Sequence, residues 1–389
     1  MRIAMIGPFG LHPKQTMRSR ALGLARPLVA RGHAVRLIMP PWDTPDEAGR
    51  AWTEDGVELR YIPLRGGTAG ITRRLIRETR EWQPDVVHCF KPKAYSGLVA
   101  EWLWRFHRRH IRLVMDTDDW EGAGGWNDVA PYSPLQQHFF ARQERYGLTH
   151  AHTVTVASRA LQSLAWSLGV SPERVVYVPN GPGIPLDEVP PEERAAVRAR
   201  LGLAERPTVL VYSRLFEFDT ARLIDVLSGI RAAVPNVAVL LVGAGLYATD
   251  SARFRDQLAA VRMMEAVVDV GWVELAQLPA TLAAAEVGLY LMDDTLLNRT
   301  KCPVKLADML AAGVPVVAEA VGQVTEYVRD GRTGALRATG DVAGLVAAAV
   351  ALLNNSPERT RMGTAARADV GERFSWERLA TIAEKAYAG

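Results

Sequence analysis

The sequence predicts an α/β protein built from two doubly wound, Rossmann-like domains that face each other across a cleft. Three observations predict this fold. The chain has 389 residues, which is more than one hydrophobic core usually holds. Short apolar runs alternate with helical patterns from end to end, as is typical of βαβ units and a parallel sheet. The pattern is interrupted in the Pro- and Gly-rich segment 179–191 and then starts again, which indicates a linker.

Composition and charge exclude several classes of protein. The chain is 48% apolar and 23% charged, which argues against a disordered or fibrous protein. No apolar run approaches the roughly 18 residues of a membrane span, and the first residues are too short for a secretion signal. Two cysteines, Cys89 and Cys302, cannot form a disulfide framework, so we expect a cytoplasmic protein. The basic first half matches no nucleic-acid motif, so we expect no nucleic-acid partner.

The first half reads as seven strands connected by helices. A helix-period stretch after the first strand places Met17, Ala21, Leu24 and Leu28 on one face. The predicted strands are Ile3–Ile6, Val35–Met39, Val57–Ile62, Val86–Cys89, Leu113–Met115, Val154–Val156 and Val175–Val178.

The second half repeats the pattern with six strands. We predict an N-terminal domain over 1–183, a C-terminal domain over 184–372, and a closing helix in 373–389 that packs back on the N-terminal domain. The predicted strands are Val209–Tyr212, Val237–Val242, Val267–Val270, Val287–Leu291, Val314–Val317 and Ala335–Arg337. The predicted helices are Arg222–Val234, Ser251–Met263, Leu278–Ala284, Val304–Ala312, Val321–Val328, Val342–Leu353 and Pro357–Ala368.

The loop after the first strand, Gly7–Gly10, is the first candidate ligand contact. It lacks the GxGxxG pattern of a dinucleotide fold, so NAD is disfavoured. Small residues there let a phosphate or sugar approach the backbone, and Lys14, Arg18 and Arg20 would add positive charge. The alternative is a tight strand-to-helix turn without a ligand.

The segment 298–318 carries the strongest signal for an anion site. A basic loop enters a helix through Pro303, and the unpaired N–H groups of the helix start attract anions, reinforced by Lys301 and Lys305. Asp308 lies one turn further, where it could accept hydrogen bonds from ribose hydroxyls. The alternative is an amphipathic helix with solvated lysines.

The same segment resembles the retaining glycosyltransferases of glycosyltransferase family 4, which have the GT-B fold. The run Asp308–Ala318 (DMLAAGVPVVA) matches the second acidic position of the family signature and all that follows it. The resemblance spans nearly the whole chain. Further similar segments are Arg31–His33, Pro84–His88, Val178–Gly181 and Val242–Gly245.

The resemblance implies a nucleotide-sugar site in the second domain, with two departures. Thr300 stands where the family has its first Glu, and Asp219 replaces a lysine near the retained Arg214. Arg214 and Lys305 are therefore the candidate catalytic groups for the diphosphate, and Trp272 either stacks on the base or packs between domains. The candidate donor-binding residues are Gly10, Arg214, Gly245, Gly271, Trp272, Val273, Thr300, Lys301, Cys302, Pro303, Val304, Lys305 and Asp308.

Carboxylates in the run Met115–Gly122 indicate the acceptor side. They fit sugar hydroxyls or a base for the attacking hydroxyl, and the alternatives are a divalent-metal site or a capped loop. Asp118 and Asp119 are candidate catalytic groups. His88 is a third, with a structural role as its alternative. The candidate acceptor-binding residues are Lys14, Arg18, Asp116, Asp118 and Asn180.

The resemblance implies transfer of a sugar, with retention, from a nucleoside diphosphate sugar to an acceptor hydroxyl. A UDP-sugar is favoured over a GDP-sugar, the acceptor is a glycan, a lipid-linked sugar or a small molecule, and no metal or other cofactor is obligatory. The aromatic and basic helix Tyr95–His110 is either core or a contact with the inner membrane surface. Two alternatives remain: a nucleotide-sugar epimerase or hydrolase, and a non-catalytic nucleotide-sugar-binding protein.

Overall fold

The computed structural model describes residues 1–14, 16–243 and 248–388. The chain divides into two compact units, here named unit 1 and unit 2. Unit 1 contains Met1–Gly181, Thr295–Cys302 and the chain from Ser375 onward, and unit 2 contains Pro182–Asp294 and Pro303–Phe374.

Unit 1 is built on an eight-stranded sheet with the order β3-β4-β2-β1-β5-β6-β7-β8. All neighbouring strands are parallel except β3 and β4, so nearly all strands end at the same edge. The strands are β1 (Arg2–Ile6), β2 (Ala34–Met39), β3 (Ala51–Glu54), β4 (Val57–Tyr61), β5 (Val86–Phe90), β6 (Arg112–Thr117), β7 (Thr153–Val156) and β8 (Val175–Tyr177).

The helices of unit 1 cover this sheet, and the last one comes from the end of the chain. A π-helical turn, Met17–Ala21, precedes α1. The helices are α1 (Leu22–Ala30), α2 (Gly67–Glu81), α3 (Ala94–His107), α4 (Trp126–Val129), α5 (Pro134–Thr149), α6 (Arg159–Ser167), α11 (Leu296–Thr300) and α16 (Trp376–Tyr387). Leu379, Ala383 and Tyr387 of α16 are buried in the same core as β1, β2 and α1.

Strand β3 was not predicted from the sequence. It pairs antiparallel with β4 through the turn Asp55-Gly56, where both residues have positive φ. An Asp-Gly pair between two extended runs is a hairpin signal. The run Ala51–Glu54 has only partial apolar alternation, because this edge strand is half-exposed.

Unit 2 contains a six-stranded, fully parallel sheet with the order β11-β10-β9-β12-β13-β14. The strands are β9 (Thr208–Tyr212), β10 (Ala238–Val242), β11 (Val267–Gly271), β12 (Val287–Tyr290), β13 (Val316–Glu319) and β14 (Gly334–Arg337). The helices are α7 (Pro191–Arg200), α8 (Thr220–Ala233), α9 (Ala248–Ala260), α10 (Leu278–Ala283), α12 (Val304–Ala311), α13 (Val324–Tyr327), α14 (Val342–Asn354) and α15 (Ser356–Phe374).

The predicted fold class, two doubly wound α/β domains, is confirmed. Each unit has its own apolar core around a largely parallel sheet. In the part of the chain that the structure describes, none of the helices has both the length and the apolar character needed to cross a membrane. Ligand groups in such folds lie at the carboxyl ends of the strands, which directs attention to the loops after β9, β5 and β6.

Candidate active site

In unit 2, cationic groups gather at the carboxyl end of β9. Arg214 lies two residues after the end of the strand, and its charge acts on Tyr212, the last residue of β9. The Lys305 ammonium lies 4.9 Å from the ring centre of the same Tyr212. Lys305 lies in the first turn of α12, whose N-terminus receives no side-chain cap from the residues described. The N–H groups of a helix start together with two cations form a site suited to phosphate. A recess beside it is lined by residues that include Tyr212, Ser213, Tyr290 and Lys305.

Asp308, one turn along α12, is bound to the start of unit 2. Its Oδ1 accepts hydrogen bonds from the backbone N–H groups of Gly183 at 2.6 Å and Ile184 at 3.3 Å. Burial raises the pKa of this carboxyl to about 7, against the opposing effect of the two amides and Lys305. Asp308 therefore takes part in a backbone contact that the sequence did not predict, and it titrates near neutral pH.

The loop after β11 presents the other predicted donor contacts of unit 2. Gly271 adopts a φ of 59°, and its carbonyl accepts the N–H of Gly243 at 2.7 Å. Trp272 is 68% exposed. Val273 is half-buried next to it. Gly245, also predicted to bind the donor, lies outside the described residues.

In unit 1, Arg20 is buried and pairs with Asp116. Its Nε and Nη2 donate to the two carboxylate oxygens at 2.7 and 2.6 Å, and its Nη1 donates to Oδ1 of Asn180 at 2.9 Å. Burial opposes ionisation of Asp116, but the Arg20 charge outweighs it and lowers the pKa. The predicted acceptor-binding role of Asp116 is corrected, because a fully buried, bidentate carboxylate has no oxygen left for a sugar. Asn180 is likewise engaged, and Arg20 is not available to a phosphate.

His88 belongs to the same buried network. Its Nδ1 lies 2.9 Å from the hydroxyl of Tyr387, and its Nε2 lies 3.0 Å from Oγ1 of Thr155, which donates to Asp116 at 2.6 Å. Burial lowers the pKa of His88 to about 4. The predicted catalytic role is corrected in favour of the structural alternative, because the ring is fully buried and both nitrogens have partners.

The segment Thr295–Cys302 belongs to unit 1, although the sequence grouped part of it with the donor site. Thr300 is buried, and its carbonyl accepts the hydroxyl of Ser158 at 2.7 Å. Cys302 accepts the N–H of Asn180 at its sulfur, at 3.1 Å. The ammonium of Lys301 lies 5.4 Å from the ring centre of Trp126 in α4. Thr300, Lys301 and Cys302 thus contact other residues of unit 1. By contrast, Pro303, Val304 and Lys305 form the start of α12 in unit 2.

A mixed cluster of lysines and carboxylates follows β5 and β6. Lys91 lies 2.9 Å from Asp118, 2.9 Å from Asp119 and 3.6 Å from Glu121. Lys93 pairs with Glu121 and donates to the Tyr132 hydroxyl at 2.6 Å. We name Lys91, Lys93, Asp118, Asp119 and Glu121 the lysine–carboxylate cluster.

The pKa values of the two adjacent aspartates of this cluster are shifted in opposite directions. Burial raises the pKa of Asp118. Burial would also raise that of Asp119, but the charges of Lys91 and Lys301 outweigh it and lower the pKa. Asp118 accepts the hydroxyl of Thr16 at 3.2 Å. Lys91 thus holds a carboxylate with a raised pKa beside one with a lowered pKa.

The remaining predicted contacts of unit 1 have local partners. Lys14 lies 3.4 Å from Asp43, with its ammonium 3.7 Å from the ring centre of Trp42, and burial lowers its pKa. Arg18 lies 3.7 Å from Glu54. A Cβ on Gly10 would approach the Tyr61 hydroxyl to 3.0 Å, so this glycine makes room for an aromatic side chain. Among the residues described, no group of three His, Cys, Asp or Glu side chains is arranged to hold a metal ion.

Sequence reasoning missed Lys91, Lys93 and the burial of Arg20. The Lys-Pro-Lys run follows a wholly buried strand, next to the strand that ends in the aspartates, so the parallel order of β5 and β6 predicts their meeting. Arg20 lies three residues after Met17 and four before Leu24, on the apolar face of its helix. The sequence therefore contained a signal both for the contact of the lysines with the aspartates and for the burial of Arg20.

Comparisons with known proteins agree with this architecture. Residues 15–181 match the family described as "Glycosyl transferase 4-like domain", and residues 206–355 match "Glycosyl transferases group 1". The phosphatidyl-myo-inositol mannosyltransferase of Mycobacterium leprae is 26% identical over 400 residues, covering 100% of this chain and 96% of its own. A GDP-mannose-dependent alpha-(1-6)-phosphatidylinositol monomannoside mannosyltransferase of Mycolicibacterium smegmatis is 31% identical over 242 residues, covering 60% of this chain and 62% of its own.

Two solved structures share the fold over nearly the entire chain. Anabaena Alr3699/HepE, in complex with UDP and glucose, superposes with a TM-score of 0.75 at 18% identity, covering 99% of both chains. WaaG, a glycosyltransferase involved in lipopolysaccharide biosynthesis, superposes with a TM-score of 0.70 at 17% identity, covering 100% of both chains. One glycosyltransferase family matches the first half of the chain and a second matches the other half. Together with the fold, these matches confirm the resemblance seen in the sequence. The chain belongs to the group 1 glycosyltransferases of family 4 and has the GT-B fold.

Proposed function

We propose that the protein moves a hexose from a nucleoside diphosphate sugar to a hydroxyl of a glycan or lipid-linked acceptor, with retention at the anomeric carbon. The observation that carries the proposal is the cationic end of β9, where Arg214, Lys305 and the uncapped start of α12 gather in unit 2. A glycosyl donor leaves a diphosphate, so its transition state gains negative charge on the leaving group. Fixed cations and helix N–H groups stabilise that charge without reorganising during the reaction.

GDP-mannose is the first donor to test, and UDP-glucose the second. The name of the Mycolicibacterium smegmatis relative includes GDP-mannose, and Alr3699/HepE was solved with UDP-glucose. The exposed Trp272 offers a ring that would stack on either base. The acceptor proposal rests on unit 1, where Asp118 and Asp119 offer oxygens to a sugar or inositol hydroxyl. The name of the first relative favours phosphatidylinositol as the first acceptor.

A nucleotide screen followed by a transfer assay tests the proposal. Thermal unfolding is measured with GDP, UDP, ADP and their sugar conjugates, without and then with magnesium. We expect one nucleotide family to raise the midpoint by about 2–4 °C, since ligand binding stabilises the folded state. GDP-mannose, UDP-glucose and ADP-glucose are then incubated with phosphatidylinositol vesicles or glycogen, and the anomeric configuration of any product is determined by NMR.

The outcomes separate the proposal from its alternatives. Product with the donor's anomeric configuration supports retaining transfer, and the inverted configuration contradicts it. Free sugar without added acceptor identifies a hydrolase, and a changed sugar identifies an epimerase. A nucleotide shift without turnover on any pair supports a binding protein and contradicts the transferase.

We further propose that α3 contacts an anionic membrane surface. Phe106 is 64% exposed, and Arg105, Arg108 and Arg109 lie around it in the sequence. An exposed aromatic ring among arginines suits the interface of acidic lipids. Flotation with phosphatidylserine vesicles should recover the protein, and Phe106→Ser should reduce that recovery. Equal recovery with neutral vesicles would contradict an anionic preference.

A further inference from the structure

Lys91 is fixed in place at both its backbone and its side chain. Its N–H donates to the Asp116 carbonyl at 2.9 Å, which extends the pairing of β5 with β6 by one residue. Its carbonyl accepts the Ser96 hydroxyl at 2.5 Å. The residue adopts a φ of 58°, a left-handed backbone conformation that residues other than glycine rarely adopt. Such a conformation persists only where the surroundings enforce it.

The side chain of Lys91 joins the two loops of the lysine–carboxylate cluster. It is only 6% exposed, and lysine is rarely buried unless it is paired. Burial lowers the pKa of its ammonium, but Asp118, Asp119 and Glu121 outweigh this effect and raise it. Lys91 therefore stays charged and is almost completely buried. It cannot itself reach a substrate as an exposed lysine would.

Of the two aspartates held by Lys91, Asp119 is the accessible one, whereas Asp118 is about as buried as Lys91 itself. Asp119 retains 21% of its side-chain surface, against 7% for Lys91. The two loops carry opposite charges: the loop after β5 contributes the lysines, and the loop after β6 contributes the carboxylates. The neighbouring Lys93 pairs with Glu121, which also lies 3.6 Å from Lys91, whereas the shorter contacts of Lys91 are to Asp118 and Asp119.

We propose that Lys91 is a positioning residue that holds Asp118 and Asp119 in the orientation in which they bind the acceptor hydroxyl. This inference rests on the proposed function. Lys91 fixes the spacing of the two carboxylates through one ammonium, which binds Oδ1 of Asp118 and Oδ2 of Asp119, while the Asp119 side chain stays 21% exposed. The positioning requires a positive charge at residue 91, and an uncharged side chain of similar length is not sufficient.

Three variants test the inference: Lys91→Met removes the charge at similar length, Lys91→Arg keeps it, and Lys93→Met is the matched control in the same loop. Transfer is measured with GDP-mannose and phosphatidylinositol vesicles, with separate KM values for donor and acceptor. We expect Lys91→Met to lower kcat/KM for the acceptor on the order of 10²-fold, because small misplacement of reacting groups has effects of that size. The donor KM should change less than about twofold, Lys91→Arg should recover most of the loss, and Lys93→Met should lose less.

A readout that needs no acceptor separates this inference from the proposed function. The carboxyl carbons of Asp118 and Asp119 are followed by NMR during a pH titration of 13C-labelled protein. In Lys91→Met the Asp119 titration should move to higher pH, and in Lys91→Arg it should stay near that of the wild type. An unchanged titration in Lys91→Met, or a loss of turnover that only follows a loss of thermal stability, overturns the inference. Failure of every donor and acceptor pair in the wild type overturns the proposed function instead.

Discussion

Arg214 is the residue whose loss should affect catalysis most. It lies two residues after β9 and, like Lys305 in the first turn of α12, near Tyr212, where the leaving diphosphate would lie. We predict that Arg214→Ala lowers kcat on the order of 10²–10³-fold, since removing one preformed donor to a developing negative charge has that effect. Arg214→Lys should lose less, because a charge remains without the bidentate geometry. Steady-state turnover with GDP-mannose measures both, and near-normal turnover in Arg214→Ala would contradict the phosphate contact.

We predict that Asp308 makes nucleotide binding depend on pH. Its pKa is about 7 in the folded chain, above its ordinary value of 3.8. The stability it contributes is therefore present below about pH 4 and is lost as the pH rises through 7. Ribose hydroxyls donate more strongly to the ionised carboxylate, so nucleotide affinity should rise from pH 6 to pH 8.

Asp308→Asn is the control for this pH dependence. The amide keeps an oxygen for the N–H groups of Gly183 and Ile184 but cannot ionise. Calorimetric titration with GDP and UDP at pH 6, 7 and 8 should show a shallower rise in affinity for the variant than for the wild type. The ionisation of the nucleotide phosphate is common to both proteins and cancels in the comparison. Equal slopes would mean that Asp308 does not contact the ribose.

At the scale of elements, α16 depends on a glycine in α1. A Cβ on Gly23 would lie 2.7 Å from an indole carbon of Trp376, the first residue of α16. Alanine is favoured over glycine within a helix by about 1 kcal/mol, but overpacking a core costs about 1–3 kcal/mol. We predict that Gly23→Ala lowers the free energy of unfolding despite the gain in helix propensity.

A double-mutant cycle isolates this contact. In a Trp376→Leu background the ring is absent, so Gly23→Ala should cost less there or become stabilising. Urea unfolding of the four proteins gives the interaction free energy. Additive effects would show that Gly23 and Trp376 act independently and that the close packing of α1 and α16 is not limiting.

At the scale of the whole molecule, the sequence predicted elements well and side-chain partners poorly. Apolar periodicity predicted both sheets because a buried parallel strand is apolar throughout, as in β5 and β10. It failed at β3, a half-exposed edge strand with weak alternation. The roles of the site residues were harder to predict, because the sequence does not show whether a carboxylate contacts a sugar or an arginine. Asp116 and Asp119 lie three residues apart, yet Arg20 buries the first and Lys91 leaves the second partly exposed.

Helix α16 should stabilise unit 1, because its apolar side chains form part of the core of that unit. Leu379, Ala380, Ala383, Ala386 and Tyr387 of α16 are all buried in the core of unit 1. Burying one large apolar side chain stabilises by roughly 1.5–3 kcal/mol, and whole domains are stable by only about 5–15 kcal/mol. We therefore predict that a chain ending at Phe374 loses most of the stability of unit 1.

Tryptophan fluorescence can follow unit 1 selectively, because all ten tryptophans except Trp272 lie in that unit. The fluorescence transition in urea should shift to much lower concentration in the chain ending at Phe374. Tyr387→Phe is the matched control, since it removes only the hydroxyl that meets His88 and should cost about 1 kcal/mol. If truncation and Tyr387→Phe shift the transition equally, the hydrogen bond to His88 carries the effect. If truncation shifts nothing, the apolar face of α16 does not stabilise unit 1.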